Sequence, residues 1–147
     1  MALEIERKFL VKGDGWRAAG TAARDIRQFY LARTDGATVR VRITDGADAV
    51  LTIKGTRAGM SRDEFEWPIP ADDARAMEAL AQGRPIVKRR HLVRHGSECW
   101  EVDVFEDGLV LAEIELASED TGFDRPDWLG REVTDDPTYY NAHMALG

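Results

Sequence analysis

Glu4, Glu6 and Lys8 are spaced two apart, and so are Arg40 and Arg42, Arg62, Glu64 and Glu66, Lys88 and Arg90, Glu101 and Asp103, and Glu113 and Glu115. Carboxylates bind hard divalent cations such as magnesium or manganese through oxygen. Guanidinium and ammonium groups bind phosphate oxygens, arginine often bidentately. A site that gathers both sets suits a polyphosphate complexed with a cation, the acids holding the cation and the bases holding the phosphoryl groups. Without the cation the carboxylates would repel such a substrate.

A spacing of two has meaning only on strands, where alternate residues share a face. Leu3, Ile5 and Phe9 then oppose Glu4, Glu6 and Lys8, while Val39, Val41 and Ile43 oppose Arg40 and Arg42. Phe65 and Trp67 oppose Arg62, Glu64 and Glu66, and Trp100, Val102 and Val104 oppose Glu101 and Asp103. Ile114 and Leu116 oppose Glu113 and Glu115, and Lys54 ends a strand whose other face carries Leu51 and Ile53. One such strand alone is what a solvated outer face produces. Together, eight acids and seven bases on seven strands are harder to place on a surface, because like charges side by side destabilise a sheet. A sheet closed with its charged side inward would let the two signs face each other around a polar tunnel. Such a lumen is costly without water or a highly charged ligand.

The strands expected from this alternation are Leu3–Val11, Ile26–Leu31, Thr38–Thr44, Ala49–Gly55, Asp63–Pro68, Ile86–Arg94, Glu98–Phe105 and Val110–Leu116. Asp35-Gly36, Asp45-Gly46, His95-Gly96 and Asp107-Gly108 are short-turn signals between antiparallel neighbours. Asp72–Ala81 reads as a helix that Asp72 or Asp73 caps and Gln82-Gly83 ends. Shorter helices are expected near Asp14–Ala19, Arg125–Leu129 and Thr138–Leu146. The fold class is α+β: an eight-stranded antiparallel barrel with a charged interior and helices packed outside.

The 147 residues fit one domain spanning 1–147, and 44% hydrophobic residues argue against disorder. A net charge of -7 argues against nucleic acid as partner, though not against a locally basic pocket. Cys99 is the lone cysteine, so a disulfide framework or thiolate cluster is not expected. No apolar run approaches the roughly 20 residues of a membrane span, and a cytoplasmic location is expected. His91, His95 and His143 lack ligand spacing, and Trp16, Trp67, Trp100 and Trp128 read as packing residues.

The N-terminal Glu4-Ile5-Glu6-Arg7-Lys8-Phe9-Leu10 resembles the Glu-x-Glu-x-Lys motif of the CYTH superfamily, the triphosphate tunnel metalloenzymes. Gln28-Phe29-Tyr30-Leu31, Arg40-Val41-Arg42, Thr52-Ile53-Lys54, Ser61 to Glu66, Lys88-Arg89-Arg90, Glu101 to Phe105 and Glu113-Ile114-Glu115 follow in order. Gly130 to Thr134, Tyr139 and Asn141 also resemble the short bacterial members of inorganic-triphosphatase type. The resemblance implies an eight-stranded tunnel that acts on triphosphates with magnesium or manganese. It implies that Glu4, Glu6 and Glu115 hold the cation bridging the phosphates. Glu64, Glu66, Asp103 and Glu113 are then candidates for a second cation, directly or through water. Lys8, Arg40, Arg42, Lys54, Arg62, Lys88 and Arg90 would grip the phosphoryl chain.

The expected reaction is in-line attack of a metal-activated water on a terminal phosphorus, with inorganic triphosphate giving pyrophosphate and phosphate. Short family members pair the motif lysine with a tyrosine in water activation, which makes Lys8 and Tyr30 the catalytic candidates; Lys8 could equally be a phosphate clamp. Class IV adenylate cyclase, thiamine triphosphatase and a non-enzymatic polyphosphate-binding module are the competing readings. The first two need a place for an organic group, and no aromatic platform is identifiable in the sequence. The resemblance leaves a homodimer open.

Overall fold

Alternation of charged and apolar residues places the strands. The computed structural model describes residues 2–19 and 22–147. The strands are β1 Ala2–Val11, β2 Ala23–Arg33, β3 Ala37–Thr44, β4 Asp48–Gly55, β5 Ser61–Ile69, β6 Gln82–His95, β7 Glu98–Phe105, β8 Val110–Glu115 and β9 Leu129–Glu132. The helices are α1 Ala71–Met77 and α2 Asn141–Leu146, with single 3-10 turns at Gly15–Ala19, Glu78–Leu80 and Pro137–Tyr139.

Eight strands close into an antiparallel ring in the order β5-β4-β3-β2-β6-β7-β8-β1, and β1 returns to β5. The closing seam is short: Ala2, Leu3, Glu4 and Ile5 pair with Glu64, Asp63, Arg62 and Ser61. On its other edge β1 pairs with β8, Glu6 opposite Glu115 and Lys8 opposite Glu113.

The ninth strand corrects the helix expected near Arg125–Leu129. Beyond Ile5 the seam leaves the edge of β1 open, and an open edge is a template for another strand. Leu129–Glu132 fills it, with Val11 opposite Leu129 and Phe9 opposite Glu132. Gly130 is needed there, because a Cβ would lie 2.8 Å from the Leu10 carbonyl oxygen. Arg7 donates from Nε to Glu132 Oε2 at 2.8 Å and so ties the added strand to β1.

Outward-facing apolar side chains form two of the three cores. One joins Ile5, Phe9, Trp16, Val93, Trp100, Val102, Ala112, Ile114 and Leu116 under the 3-10 turn and the β8–β9 connection. The other packs Phe29, Val41, Ile43 and Ala49 against Ala74 of α1. The latter helix begins at Pro70 with no side-chain cap; Asp72 and Asp73 lie inside its first turn rather than capping it, where their charge favours the positive helix end. Gln82-Gly83 opens β6 instead of ending the helix. Trp67 departs from its expected packing role. It is 49% exposed and stacks on Phe65 at 6.5 Å, because α1 lies over β3 and β4 and leaves the outer face of β5 uncovered.

The third core lies inside one end of the barrel. Tyr30, Ile86, Phe105 and Leu111 point inward there and pack against Val133 and Ala145, with Ala142, Met144 and Leu146 around them. The C-terminal helix therefore stops one end of the tunnel, while α1 packs outside. The expected helix over Thr138–Leu146 breaks at Tyr140, whose extended backbone lies between the 3-10 turn and α2. Gly83, at φ +67°, seats α2: a Cβ there would stand 1.9 Å from the Ala145 carbonyl oxygen.

Candidate active site: a two-walled tunnel

A cavity of about 220 Å³ runs inside the barrel. It is lined by Glu4, Glu6, Lys8, Tyr30, Arg40, Arg42, Lys54, Arg62, Glu64, Glu66, Lys88, Arg90, Glu113 and Glu115, together with Thr38, Glu101, Tyr140, Asn141 and Ala142. Of the sequence-derived candidates only Asp103 is absent from this lining. The ring order sorts the two charge signs. Neighbouring strands β7, β8, β1 and β5 bring Glu101, Glu113, Glu115, Glu4, Glu6, Glu64 and Glu66 to one wall. On the facing wall β4, β3 and β6, with β2 between the last two, bring Lys54, Arg40, Arg42, Lys88 and Arg90 together. Lys8 and Arg62 are the two bases set into the acidic wall.

Ion pairs run both between the walls and within the acidic one. Lys54 Nζ lies 2.8 Å from Glu4 Oε1 and 3.4 Å from Glu64 Oε2. Lys8 Nζ lies 3.5 Å from Glu113 Oε1 and donates to the Tyr139 carbonyl at 2.9 Å. Arg40 donates weakly to Thr52 at 3.4 Å, which in turn donates to Glu66. The buried Nε atoms of Arg40 and Arg62 have no hydrogen-bond acceptor among the described residues, so both guanidiniums keep donor capacity. Asp103 is 1% exposed. It takes a bidentate pair from Arg90, 2.8 and 2.9 Å, and lies 2.9 Å from Lys88 Nζ. It acts as the anchor beneath two bases, while Glu101, same face and one step nearer the strand start, reaches the cavity and accepts from Arg90 Nη1 at 3.1 Å.

Burial and crowding polarise the titration of these groups. Glu6 is pushed up to about 8 by burial, then by the charges of Glu113 and Glu4. Glu64 is raised to about 7 by burial and by Glu4. Glu113 is held well below the ordinary glutamate range despite its burial, because Lys8, Arg90 and Lys88 surround it. On the opposite wall burial, with Arg90 and Arg42 beside it, lowers Lys88 to about 7. Burial and the charges of Arg40 and Arg90 lower Arg42 to about 9.

The donor set fits a hard divalent cation: every acid in the wall offers carboxylate oxygen, and burial, added to by their crowding, raises Glu6 and Glu64. Among the described residues no three ligating side chains converge as a ready-made cage. Glu4, Glu64 and Glu113 rest instead on Lys54, Arg62 and Lys8, so a cation taken up by these three would exchange with those partners.

Tyr140 and Asn141 were not singled out as site residues from sequence, since they enter from the C-terminal segment and not from an alternating strand. Tyr140 also borders a second cavity of about 330 Å³ that shares Thr38, Arg62 and Ala142 with the tunnel. There Arg57 lies 5.3 Å from the Tyr140 ring. The helical turn signal at Pro137 and the inward parity of Tyr30 are the traces that could have pointed to it.

A closed antiparallel barrel whose lumen carries an acidic and a basic wall defines a tunnel protein built for a cation-complexed polyanion. The chain belongs to the CYTH domain family, whose profile matches residues 2–141. It is 41% identical to an inorganic triphosphatase of Acetivibrio thermocellus, over 98% of this chain and 94% of that one. It is 36% identical to an inorganic triphosphatase of Nitrosomonas europaea, over 97% of both. The crystal structure of inorganic triphosphatase NE1496 superposes with a TM-score of 0.70 at 33% identity, covering 100% of this chain and 97% of that one. Among the described residues no helix is long and apolar enough to cross a membrane.

Proposed function

We propose that the chain, acting as one unit over 1–147, hydrolyses inorganic triphosphate to pyrophosphate and phosphate with magnesium or manganese. The observation that carries this reading is the separation of charge into two facing walls. A linear triphosphate laid along the lumen meets guanidinium and ammonium donors on one side and carboxylates on the other. The similarity to two inorganic triphosphatases over almost the full length supports the same substrate.

Glu4, Glu6 and Glu115 would hold one divalent cation, and Glu64, Glu66 and Glu113 a second one. A cation held there would supply neutralisation of phosphoryl charge and a lowered pKa for bound water. Arg40, Arg42, Lys54, Arg62, Lys88 and Arg90 bind and orient the chain, and their charge opposes the charge that spreads over the transferred phosphoryl group. Asp103 keeps Lys88 and Arg90 aimed. Lys8 is fixed by the Tyr139 carbonyl and by Glu113, and with Tyr30 it lines the lumen where the attacking water would be oriented. The stopped end, with α2 across it, limits the space beyond the triphosphate.

The test is to supply triphosphate, ATP and thiamine triphosphate separately, each with magnesium or manganese, and to measure phosphate, pyrophosphate and cyclic AMP. Phosphate released from triphosphate far faster than from the organic substrates is expected. Cyclic AMP with pyrophosphate would replace the reading by a cyclase. Tight triphosphate binding without product would replace it by a binding module.

A further inference from the structure

Gln28 is the one uncharged polar residue of β2 at the heart of the basic wall, and it is fully buried, at 0% exposure. A buried amide is costly unless its donors and acceptor are used. Gln28 Oε1 accepts from Arg42 Nε at 3.0 Å, and Gln28 Nε2 donates to Asn141 Oδ1 at 3.0 Å. The same Asn141 oxygen accepts from Lys88 Nζ at 2.9 Å. The row Arg42, Gln28, Asn141, Lys88 has a defined sense. Arg42 and Lys88 can only donate, so the Gln28 oxygen must face Arg42 and the Asn141 oxygen must face Lys88.

We propose that Asn141 and Gln28 are positioning residues of the tunnel: a neutral amide bridge that holds the Arg42 and Lys88 side chains in register for a phosphoryl chain without neutralising them. The inference rests on the triphosphate reading of the lumen. A carboxylate in place of either amide would give the same hydrogen bonds but would cancel charge that the substrate needs. Lys88 already has its ionic partner, Asp103, at 2.9 Å. The amides add direction alone. Because Asn141 is the first residue of α2, the helix that stops the tunnel also sets the geometry of its floor.

A purely structural role, in which these contacts only fasten α2 to the barrel, is the competing account. Arg84 provides the control. It is exposed, and its Nε donates to the Met144 carbonyl at 3.0 Å, fastening the same helix from outside the lumen. Triphosphate binding is measured by calorimetry, with and without magnesium, on wild type, Asn141→Leu, Gln28→Leu, their double variant and Arg84→Ala, with thermal melts on each.

Each Leu variant is expected to weaken binding by about tenfold, and the double variant by no more than the worse single, because both act through one bridge. Arg84→Ala should lower the melting temperature yet bind within about twofold of wild type. Binding unchanged in either Leu variant, additive losses in the double variant, or an equal loss in Arg84→Ala would each overturn the inference. Turnover is assayed in parallel. Wild type that binds triphosphate but releases no phosphate would sink the hydrolase reading and leave the bridge to be decided by affinity. Wild type that does not bind triphosphate would sink both.

Discussion

Lys54, at the edge of the basic wall where β4 joins β5, reaches past its register partner Glu64 to place its ammonium 2.8 Å from Glu4 on the acidic wall. The contact joins a residue that would grip phosphate to one that would hold a cation. A cation held by Glu4 would compete with Lys54 for the same oxygen, and on the proposed reading phosphate would draw the lysine away.

Replacing Lys54 by alanine should therefore tighten magnesium or manganese binding in the absence of substrate. Loss of one competing charge-assisted hydrogen bond of about 1.5 kcal/mol corresponds to on the order of tenfold. The same variant should lose triphosphate affinity. Manganese titration followed by paramagnetic resonance checks the first effect and phosphate release the second; a cation affinity that falls in the variant contradicts the competition.

The pH dependence of the cation-free protein follows from Glu6 and Glu64. Glu6 titrates near 8 in the fold against an ordinary 4.5, and Glu64 near 7. Between the ordinary and the raised value the folded state carries protons that the unfolded state has lost. The stability these groups contribute is complete below about pH 4.5 and is lost as pH rises through 7 to 8. With a chelator present, wild type minus Glu6→Gln should show a melting-temperature difference that turns against wild type across that window. Addition of magnesium should reverse it. A difference independent of pH would remove Glu6 from the crowded cluster.

Asp103 should behave as a structural anchor. Asp103→Ala strands two buried cations, Lys88 and Arg90, a change that costs about 3–5 kcal/mol where a buried pair is broken. Denaturant unfolding should show that loss, while manganese binding to the remaining fold changes little. A variant of undiminished stability with abolished cation binding would make Asp103 a direct ligand.

Gly83 marks how closely α2 approaches β6. Gly83→Ala sets a Cβ against the Ala145 carbonyl oxygen, at 1.9 Å without relaxation, and at φ +67°. A destabilisation of more than about 1 kcal/mol is expected, together with weaker triphosphate binding because Asn141 moves with the helix. A variant with wild-type melting and affinity would show that α2 does not seat there.

Alternation was enough to find every strand of the ring, and Glu98–Phe105 matches its expected span to the residue, because charged and apolar positions keep a strict period of two. Parity also placed Glu4, Glu6, Arg40 and Arg42 on one surface. It could not show that acids and bases separate, since that depends on joins between strands distant in the chain, β2 with β6 and β1 with β5. Nor could it rank Glu101 and Asp103, which share a face but differ in depth. Leu129–Glu132 is too short to show a period, and its pairing is decided by the length of β1 left uncovered. Tyr140 and Asn141 reach the lumen from a break between two helical turns, where neither strand nor helix periodicity applies.

The four-residue seam between β1 and β5 has a consequence for how the molecule fails. Glu4 and Arg62 are register partners within it, and Lys54 and Glu64 meet beside it. A fluctuation that unzips this seam, leaving the other joins of the hoop intact, would separate a cation ligand from two phosphate grips in one event. Activity would then be lost in a state that still retains most of its packed core, and a ligand bridging the seam would act as its clasp.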